Sequence, residues 1–281
     1  MRKVLIPTDF SDNAMNAITY AFELFKYEKC EFYIMHVYQD EIYTDEVLLT
    51  RETIETTTKI VADKSQKQLE VVLNEINRIS PNPRHKYNII SANNVLLYEA
   101  DKIVHDENID ILVMGTRGRS NDENLTFGSH TLQVLKYVQC PVLVIPKGYK
   151  YSKPKHILFP SDYMIPYKRR ELKLVCETVA PYRAKIDMLY ISKSSKLSMR
   201  QEDNRDFIKE ELCKNEITFK TINSKHIVKS INQYIKENNI DMLVMVNTRH
   251  SFFENLLFQS SIDELGLNLD IPLLALQNMN R

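Results

Sequence analysis

An internal repeat constrains the fold of this chain more than any other feature of its sequence. Three blocks in the first half recur, in the same order, in the second half. The pairs are KVLIPTDF at 3–10 with HILFPSDY at 156–163, NIDILVM at 108–114 with NIDMLVM at 239–245, and PVLVI at 141–145 with PLLAL at 272–276. We therefore infer two tandem copies of one domain and place them at residues 1–147 and 153–281.

Each copy shows the alternation of strands and helices that is typical of an α/β domain. In the first copy, short apolar segments rich in branched residues predict buried parallel strands at 4–8, 32–37, 87–91, 111–115 and 142–145. Helical periodicity fills the intervals at 14–25, 53–79, 95–105 and 131–138. We therefore predict two tandem open five-stranded parallel sheets with helices on both faces, a Rossmann-like fold. We expect segment 39–51 and the long helix after it to be present only in the first copy.

The charge balance argues against whole classes of partner. The 37 basic residues equal the 37 acidic residues, whereas proteins that bind nucleic acid or anionic membranes usually carry a basic surplus. No apolar run approaches the roughly 18 residues of a membrane span, and the short apolar stretch after Met1 does not resemble a signal peptide. The four cysteines are scattered without metal-ligand spacing. We expect a cytoplasmic protein that has no structural metal and no nucleic-acid or membrane partner.

Glycine is scarce and clustered. The chain has only 5 glycines, where average usage would give about 20, and three of them lie between 115 and 128. This segment connects the predicted fourth strand to the helix that begins near Ser129. Ligands of open parallel sheets bind at such strand ends, and helix N-termini bind phosphate through unpaired N–H groups. We therefore expect a phosphate loop in which the glycines adopt φ > 0 and approach the anion closely, while Arg117 and Arg119 add positive charge.

The spacing within this loop is specific. Gly115, Gly118, Gly128 and Ser129 form the pattern Gly-x2-Gly-x9-Gly-Ser, which resembles the ATP loop of the universal stress protein family. Other segments resemble the same family, namely PTDFS at 7–11, MHV at 35–37 and CPVLV at 140–144. The resemblance covers both copies, and it implies that the Rossmann-like fold is of the adenine-nucleotide-binding type.

The resemblance implies a site for ATP, or for ADP or another adenylate, with or without Mg²⁺. Asp9, beside Pro7 and Thr8, would face the ribose or adenine, and the Val37 backbone would contact the adenine edge. The remaining implied residues are Met114 and Gly115 at the base and ribose, and Gly118, Gly128, Ser129 and His130 at the phosphates.

Some of these residues have alternative interpretations. Asp9 could instead be the N-cap of the following helix. Arg117 and Arg119 could be solvated loop charges, and His130 could be a bystander that offers only its backbone N–H.

The second copy lacks the loop glycines. Val246, Arg249 and Gln259 occupy the aligned positions, and only Ser260 matches Ser129. A side chain forced to φ > 0 costs about 1–2 kcal/mol per position. We therefore expect the second domain to be structural and the chain to have one nucleotide site.

Three functions remain open at this stage. The leading interpretation is a soluble stress-response or regulatory protein that binds an adenine nucleotide in its N-terminal domain. The alternatives are a nucleotide-independent protein-interaction module and a slow ATPase. Since no lysine follows Gly118 or Gly128 as in a P-loop, we expect no dedicated catalyst and name no catalytic residue. We expect the two domains to form an intramolecular pseudo-dimer through their fifth strands, because apolar strand edges invite pairing, and we also consider a homodimer.

Overall fold

The computed structural model describes residues 1–43, 51–116, 127–194, 196–212, 215–247 and 269–278. The chain divides into two compact units, Met1–Cys140 and Pro141–Arg281. The domain bounds 1–147 and 153–281 inferred from the repeat remain a prediction. Within the described residues, no helix is both long enough and apolar enough to cross a membrane.

The first unit contains a parallel sheet with the strand order β3-β2-β1-β4. Its strands are β1 (Arg2–Pro7), β2 (Cys30–Val37), β3 (His85–Ala92) and β4 (Ile111–Gly115). Its helices are α1 (Asp12–Leu24), α2 (Gln39–Tyr43), α3 (Arg51–Ile79), α4 (Leu96–Asp106) and α5 (Ser129–Tyr137). The branched residues of β1 and β4 are fully buried, as expected for central parallel strands.

The second unit has the strand order β5-β10-β9-β6-β7-β8. Its strands are β5 (Val142–Ile145), β6 (His156–Pro160), β7 (Lys185–Ser192), β8 (Glu216–Asn223), β9 (Met242–Asn247) and β10 (Leu273–Gln277). Its helices are α6 (Arg169–Val179), a 3₁₀ turn (Ala180–Tyr182), α7 (Met199–Glu211) and α8 (Ile227–Glu237). Strands β6–β10 are parallel, and β5 pairs antiparallel with β10, with Val144 opposite Leu273. The predicted α/β fold with mostly parallel strands is confirmed.

The recurring NID block has the same structural role in both units. In the first unit, the Asp110 carboxylate accepts a 2.9 Å hydrogen bond from the Lys3 N–H at the start of β1. In the second unit, Asp241 accepts the same bond from the His156 N–H, also at 2.9 Å. The asparagine of each block has a positive φ, 53° at Asn108 and 50° at Asn239, a conformation that Asn tolerates better than most residues. The block thus fixes the turn that leads into the fourth strand.

One sequence expectation about the helices is wrong. The long helix after the second strand was expected only in the first copy, but α7 occupies the same place in the second unit. It has 13 residues, whereas α3 has 29. The second copy therefore shortens this helix rather than losing it.

Candidate functional site

The strand order of the first unit creates a crevice. From β1 the chain continues outward through β2 and β3, whereas β4 lies on the other side of β1. In an open parallel sheet, the loops diverge at such a switch point, and ligands bind there, beyond the carboxyl ends of the strands. The relevant ends are Pro7 on β1 and Gly115 on β4.

Hydrogen bonds fix the loop after β1. The Thr8 hydroxyl accepts a 3.0 Å bond from the Phe10 N–H, and Phe10 has a φ of 62°. Asp9 Oδ1 accepts two bonds from Ser11, one from its N–H at 3.1 Å and one from its hydroxyl at 2.6 Å. Ser11 in turn is the N-cap of α1 and accepts from the Ala14 N–H. The alternative that Asp9 is itself the N-cap is therefore wrong, and its carboxylate instead orients the true cap at the edge of the crevice.

Gly115 is required by a close approach to α1. A Cβ at this position would lie 2.5 Å from Nδ2 and 2.9 Å from Cγ of the buried Asn13, and 3.3 Å from the Asn13 carbonyl oxygen. The expectation that the loop glycines adopt φ > 0 is wrong for Gly115, which lies in a strand, and for Gly128, whose φ is −69°. Among the described glycines, only Gly148 has a positive φ. At Gly115, the missing side chain makes room for α1 beside the end of β4.

Helix α5 presents an uncapped N-terminus to the same crevice. Its N-cap is Gly128, in extended conformation with ψ 160°, and no side chain caps the helix. Two contacts tie this helix start to the end of β4. The Gly128 N–H donates to the Thr116 carbonyl at 2.8 Å, and the buried Thr131 hydroxyl lies 3.1 Å from the carbonyls of both Gly115 and Thr116. The first backbone N–H groups of α5, from Ser129 and His130, therefore lie beside the strand end, and both side chains are exposed.

The end of β2 supplies a further wall and a polar network that the sequence analysis missed. Val37 is half-buried at the strand end. The preceding residue, His36, is buried, and the centroid of its ring lies 4.4 Å from that of Phe10. Its Nδ1 bonds to the Ser65 hydroxyl at 2.9 Å. Ser65 bonds in turn to the Ser91 hydroxyl at 2.7 Å. The polar residues that alternate with the apolar ones near the ends of β2 and β3 were the available signal.

Nine of the twelve predicted site residues lie among the residues that the structure describes. Eight of them lie at the ends of β1 and β4 and at the start of α5, namely Pro7, Thr8, Asp9, Met114, Gly115, Gly128, Ser129 and His130. Val37 ends the neighbouring β2. Arg117, Gly118 and Arg119 lie outside the described residues, as do Arg249, Gln259 and Ser260 of the second copy.

The corresponding strand ends of the second unit are filled by side chains. Val246, aligned with Gly115, is buried within β9. Tyr167 bonds through its hydroxyl to the Ser161 hydroxyl at 2.7 Å and stacks on Phe159 of β6. Because Pro166, aligned with Asn13, precedes α6 rather than lying inside a helix, the close approach that requires glycine in the first unit does not recur.

Comparisons with known proteins agree with this architecture. The model of the universal stress protein family matches residues 1–146. Universal stress protein MJ0577 of Methanocaldococcus jannaschii is 28% identical over 156 residues, which cover 52% of this chain and 95% of the relative. Universal stress protein MJ0531 of the same organism is 25% identical over 149 residues, or 53% of this chain and 84% of the relative.

A solved structure extends the likeness in fold to both units. The crystal structure of a universal stress protein from Archaeoglobus fulgidus superposes with a TM-score of 0.67, covering 98% of this chain and 96% of that chain at 17% identity. At this identity, the similarity concerns the fold alone. Because the family model takes in more than half of the sequence, the chain belongs to the universal stress protein family.

Proposed function

We propose that the first unit binds ATP or another adenine nucleotide such as ADP, and that the chain acts as a nucleotide-binding regulatory protein in a cytoplasmic stress response. The observation that carries the proposal is the uncapped start of α5, held beside the end of β4 at the strand switch point. A helix start of this kind binds phosphate, because its N–H groups lack partners and its dipole favours negative charge.

The phosphates fit the start of α5 by both shape and charge. Gly128 places no side chain over the first N–H groups, and Ser129 adds a hydroxyl that can donate. No acidic residue lies in the first turn of this helix. From the sequence, Arg117 and Arg119 add two cations to the loop that leads into the helix. We assign no residue to Mg²⁺, since ATP can carry that ion in its own phosphate complex.

The base and ribose fit the floor of the crevice. Met114 is buried at the end of β4, and the bare backbone of Gly115 follows it. Asp9 is half-buried at the rim, where hydrogen bonds with Ser11 fix one carboxylate oxygen. A ligand pocket of this kind needs apolar walls and a few positioned polar groups, and these residues supply both.

With respect to the nucleotide, the second unit is proposed to be structural and to have no site of its own. Val246 replaces the glycine at the strand end, and Tyr167 occupies the side chain space beside Ser161. Asn247, at the end of β9, bonds through its side chain to Gln277 of β10 at 2.9 Å. These contacts satisfy polar groups within the unit itself where the first unit has its crevice.

Isothermal titration calorimetry with ATP tests the proposal on the full chain. Gly118→Arg imports the aligned residue of the second copy, and we expect it to weaken ATP binding by at least about tenfold, since each lost amide–phosphate bond removes about 1.5–3 kcal/mol. The far-ultraviolet circular dichroism should not change.

Asn93→Arg is the matched control, because it adds the same charge at an exposed position just after β3, at the same edge of the sheet. This variant should bind ATP like the wild type. Retained affinity in Gly118→Arg, or an equal loss in both variants, would contradict the proposed phosphate loop.

A further inference from the structure

The second unit contains a cleft that has no part in the proposed nucleotide site. Its volume is about 350 Å³, and it opens between α7 and the carboxyl-terminal parts of β7 and β8. The residues that define its chemistry are Tyr163, Tyr190, Lys196, Arg205, Phe219 and Lys220. This size lies at the small end of the range of ligand sites, which is about 300–1,000 Å³.

Aromatic rings form the inner walls of the cleft. Tyr163 and Tyr190 stack with their ring centroids 5.8 Å apart and an interplanar angle of 26°. Phe219 of β8 is partly exposed at the mouth, and the Arg205 guanidinium lies 6.0 Å from its ring centroid. Tyr163 and Tyr190 are buried and form the floor, so the ring that is exposed to a ligand is that of Phe219, on which a further planar ring gains stacking energy beyond its buried area.

The walls are fixed by hydrogen bonds from α7. The Asn204 side chain donates to the Tyr163 carbonyl at 2.7 Å, and the Gln201 side chain donates to the Asp162 carbonyl, also at 2.7 Å. Gln201 also completes a capping box with Ser198 at the start of α7, so the helix terminus is already satisfied. A ligand in the cleft would therefore meet side chains rather than a helix end, in a site that needs little reorganisation.

Cations outnumber carboxylates among the side chains that line the cleft. The three lining cations are Lys196, Arg205 and Lys220. Of the lining cations, Lys220 pairs with the buried Asp187 at 3.4 Å and Arg205 contacts the exposed Asp206 at 3.3 Å. Glu202 is the lining carboxylate. With three cations and one carboxylate, the lining of the cleft favours an anionic ligand.

At the corresponding place in the first unit, a histidine and a serine form a hydrogen bond. His36 of β2 has the same place in its strand pair as Tyr190 of β7 has in the second unit. Its Nδ1 bonds to the hydroxyl of Ser65 in α3, the helix that covers this part of the sheet. In the second unit, α7 is shorter than α3 and a tyrosine replaces the histidine. The cleft lies at this place.

We infer that this cleft binds a small planar aromatic anion. The ring of the ligand lies against Phe219 at the mouth of the cleft, and its anionic group meets Lys196 and Arg205. An aromatic carboxylate and a phosphate ester of an aromatic ring share this chemistry. The inference concerns the second unit and does not depend on nucleotide binding by the first.

Calorimetry or ligand-observed NMR on the full chain tests the inference with phenyl phosphate and benzoate as probes. Two control probes each carry half of this chemistry. Inorganic phosphate has the charge without the ring, and benzyl alcohol has the ring without the charge. We expect at least one of the two aromatic anions to bind about tenfold more tightly than either half-probe, because stacking contributes about 0.5–1.5 kcal/mol and a charged hydrogen bond about 1.5–3 kcal/mol. The tighter of the two aromatic anions identifies the anionic group as phosphate or carboxylate.

Variants locate the probe. Arg205→Gln and Lys196→Gln should each weaken binding about tenfold. Lys209→Gln, an exposed position one turn further along α7 that does not line the cleft, should leave binding unchanged within about twofold. Gly118→Arg should also have no effect, which separates this cleft from the proposed nucleotide site. Equal binding of phenyl phosphate and inorganic phosphate, equal effects of Arg205→Gln and Lys209→Gln, loss of binding in Gly118→Arg, or no binding by either aromatic probe would overturn the inference.

Discussion

At the scale of single residues, the contact between Gly115 and Asn13 shows how one side chain can specify a glycine far away in the sequence. The buried Asn13 amide fills the volume that a Cβ at position 115 would need. The second copy has Pro166 and Val246 at the aligned positions, and both differ from the first copy. The two positions therefore change together between the copies, as a shared packing contact predicts.

A double-mutant cycle tests this coupling. Gly115→Ala should lower the free energy of unfolding by about 1–3 kcal/mol, because overpacking forces Asn13 to move. With Asn13→Ala already in place, the same change should cost much less, since the 2.5 Å and 2.9 Å approaches are then gone. Urea denaturation of the four proteins measures the coupling free energy. An equal cost of Gly115→Ala in both backgrounds would show that the contact does not determine the glycine.

Asp187 gives a second test at the scale of residues, in the second unit. Burial raises the pKa of its carboxyl group, but hydrogen bonds from Thr218, from Tyr234 at 2.6 Å and from His156 at 2.8 Å favour the ionised form more strongly. The net result is a pKa well below the usual range. Because the folded-state pKa is depressed, its stabilising contribution is present above the unfolded-state pKa of about 3.9 and is lost as the pH falls below it.

Asp187→Asn should therefore lower the free energy of unfolding by about 2 kcal/mol at pH 7. The difference from the wild type should shrink steadily between pH 4 and pH 2.5, where the wild-type protein loses the advantage of the ionised group. Urea denaturation at pH 7, 4 and 2.5 measures it. A difference that stays constant over this range would show that the charge of Asp187 does not contribute.

At the scale of elements, periodicity alone predicted most strands and helices of the first copy. The predicted fourth and fifth strands, 111–115 and 142–145, match β4 and β5, and the predicted helix 14–25 lies within two residues of α1 at each end. Such local patterns show which face of each element is apolar and therefore buried.

The errors arose where distant residues decide the conformation. Backbone freedom was the expected reason for Gly115, yet the reason is an approach by α1, which is far away in the sequence. Helix α7 was missed because its sequence is strongly polar and has little apolar periodicity. The candidate site was predictable as a loop and a strand end, whereas Asn13, His36 and Ser65 required knowledge of what packs together.

The attachment of α5 to β4 provides a test at this scale. Thr131→Val keeps the shape of the side chain but removes the hydroxyl that bonds to the carbonyls of Gly115 and Thr116. We expect the free energy of unfolding to fall by about 1 kcal/mol and the ATP affinity to fall several-fold, because the helix start loses its fixed position beside the crevice. Urea denaturation and calorimetry measure the two effects. Thr131→Ser, which retains the hydroxyl, should preserve both quantities, and a serine variant as impaired as the valine variant would contradict this role.

At the scale of the whole molecule, the two copies have diverged in what they place at their strand ends. The first unit keeps a glycine packed against Asn13 and an uncapped helix start, whereas the second unit has Val246 at the aligned strand end and Tyr167 beside Ser161. In the second unit, β5 covers one edge of β10, which would otherwise expose unpaired backbone groups. The intramolecular pseudo-dimer of the two domains through their fifth strands and the alternative homodimer remain predictions.

The number of nucleotide sites per chain tests the central claim most directly. Calorimetric titration of the 281-residue chain with ATP should give a stoichiometry of about one, since a single helix start of the described residues stands uncapped beside a glycine at a strand end. Two sites of equal affinity would mean that the second unit binds nucleotide despite Val246, Arg249 and Gln259. The absence of binding at millimolar ATP would contradict the assignment of the first unit.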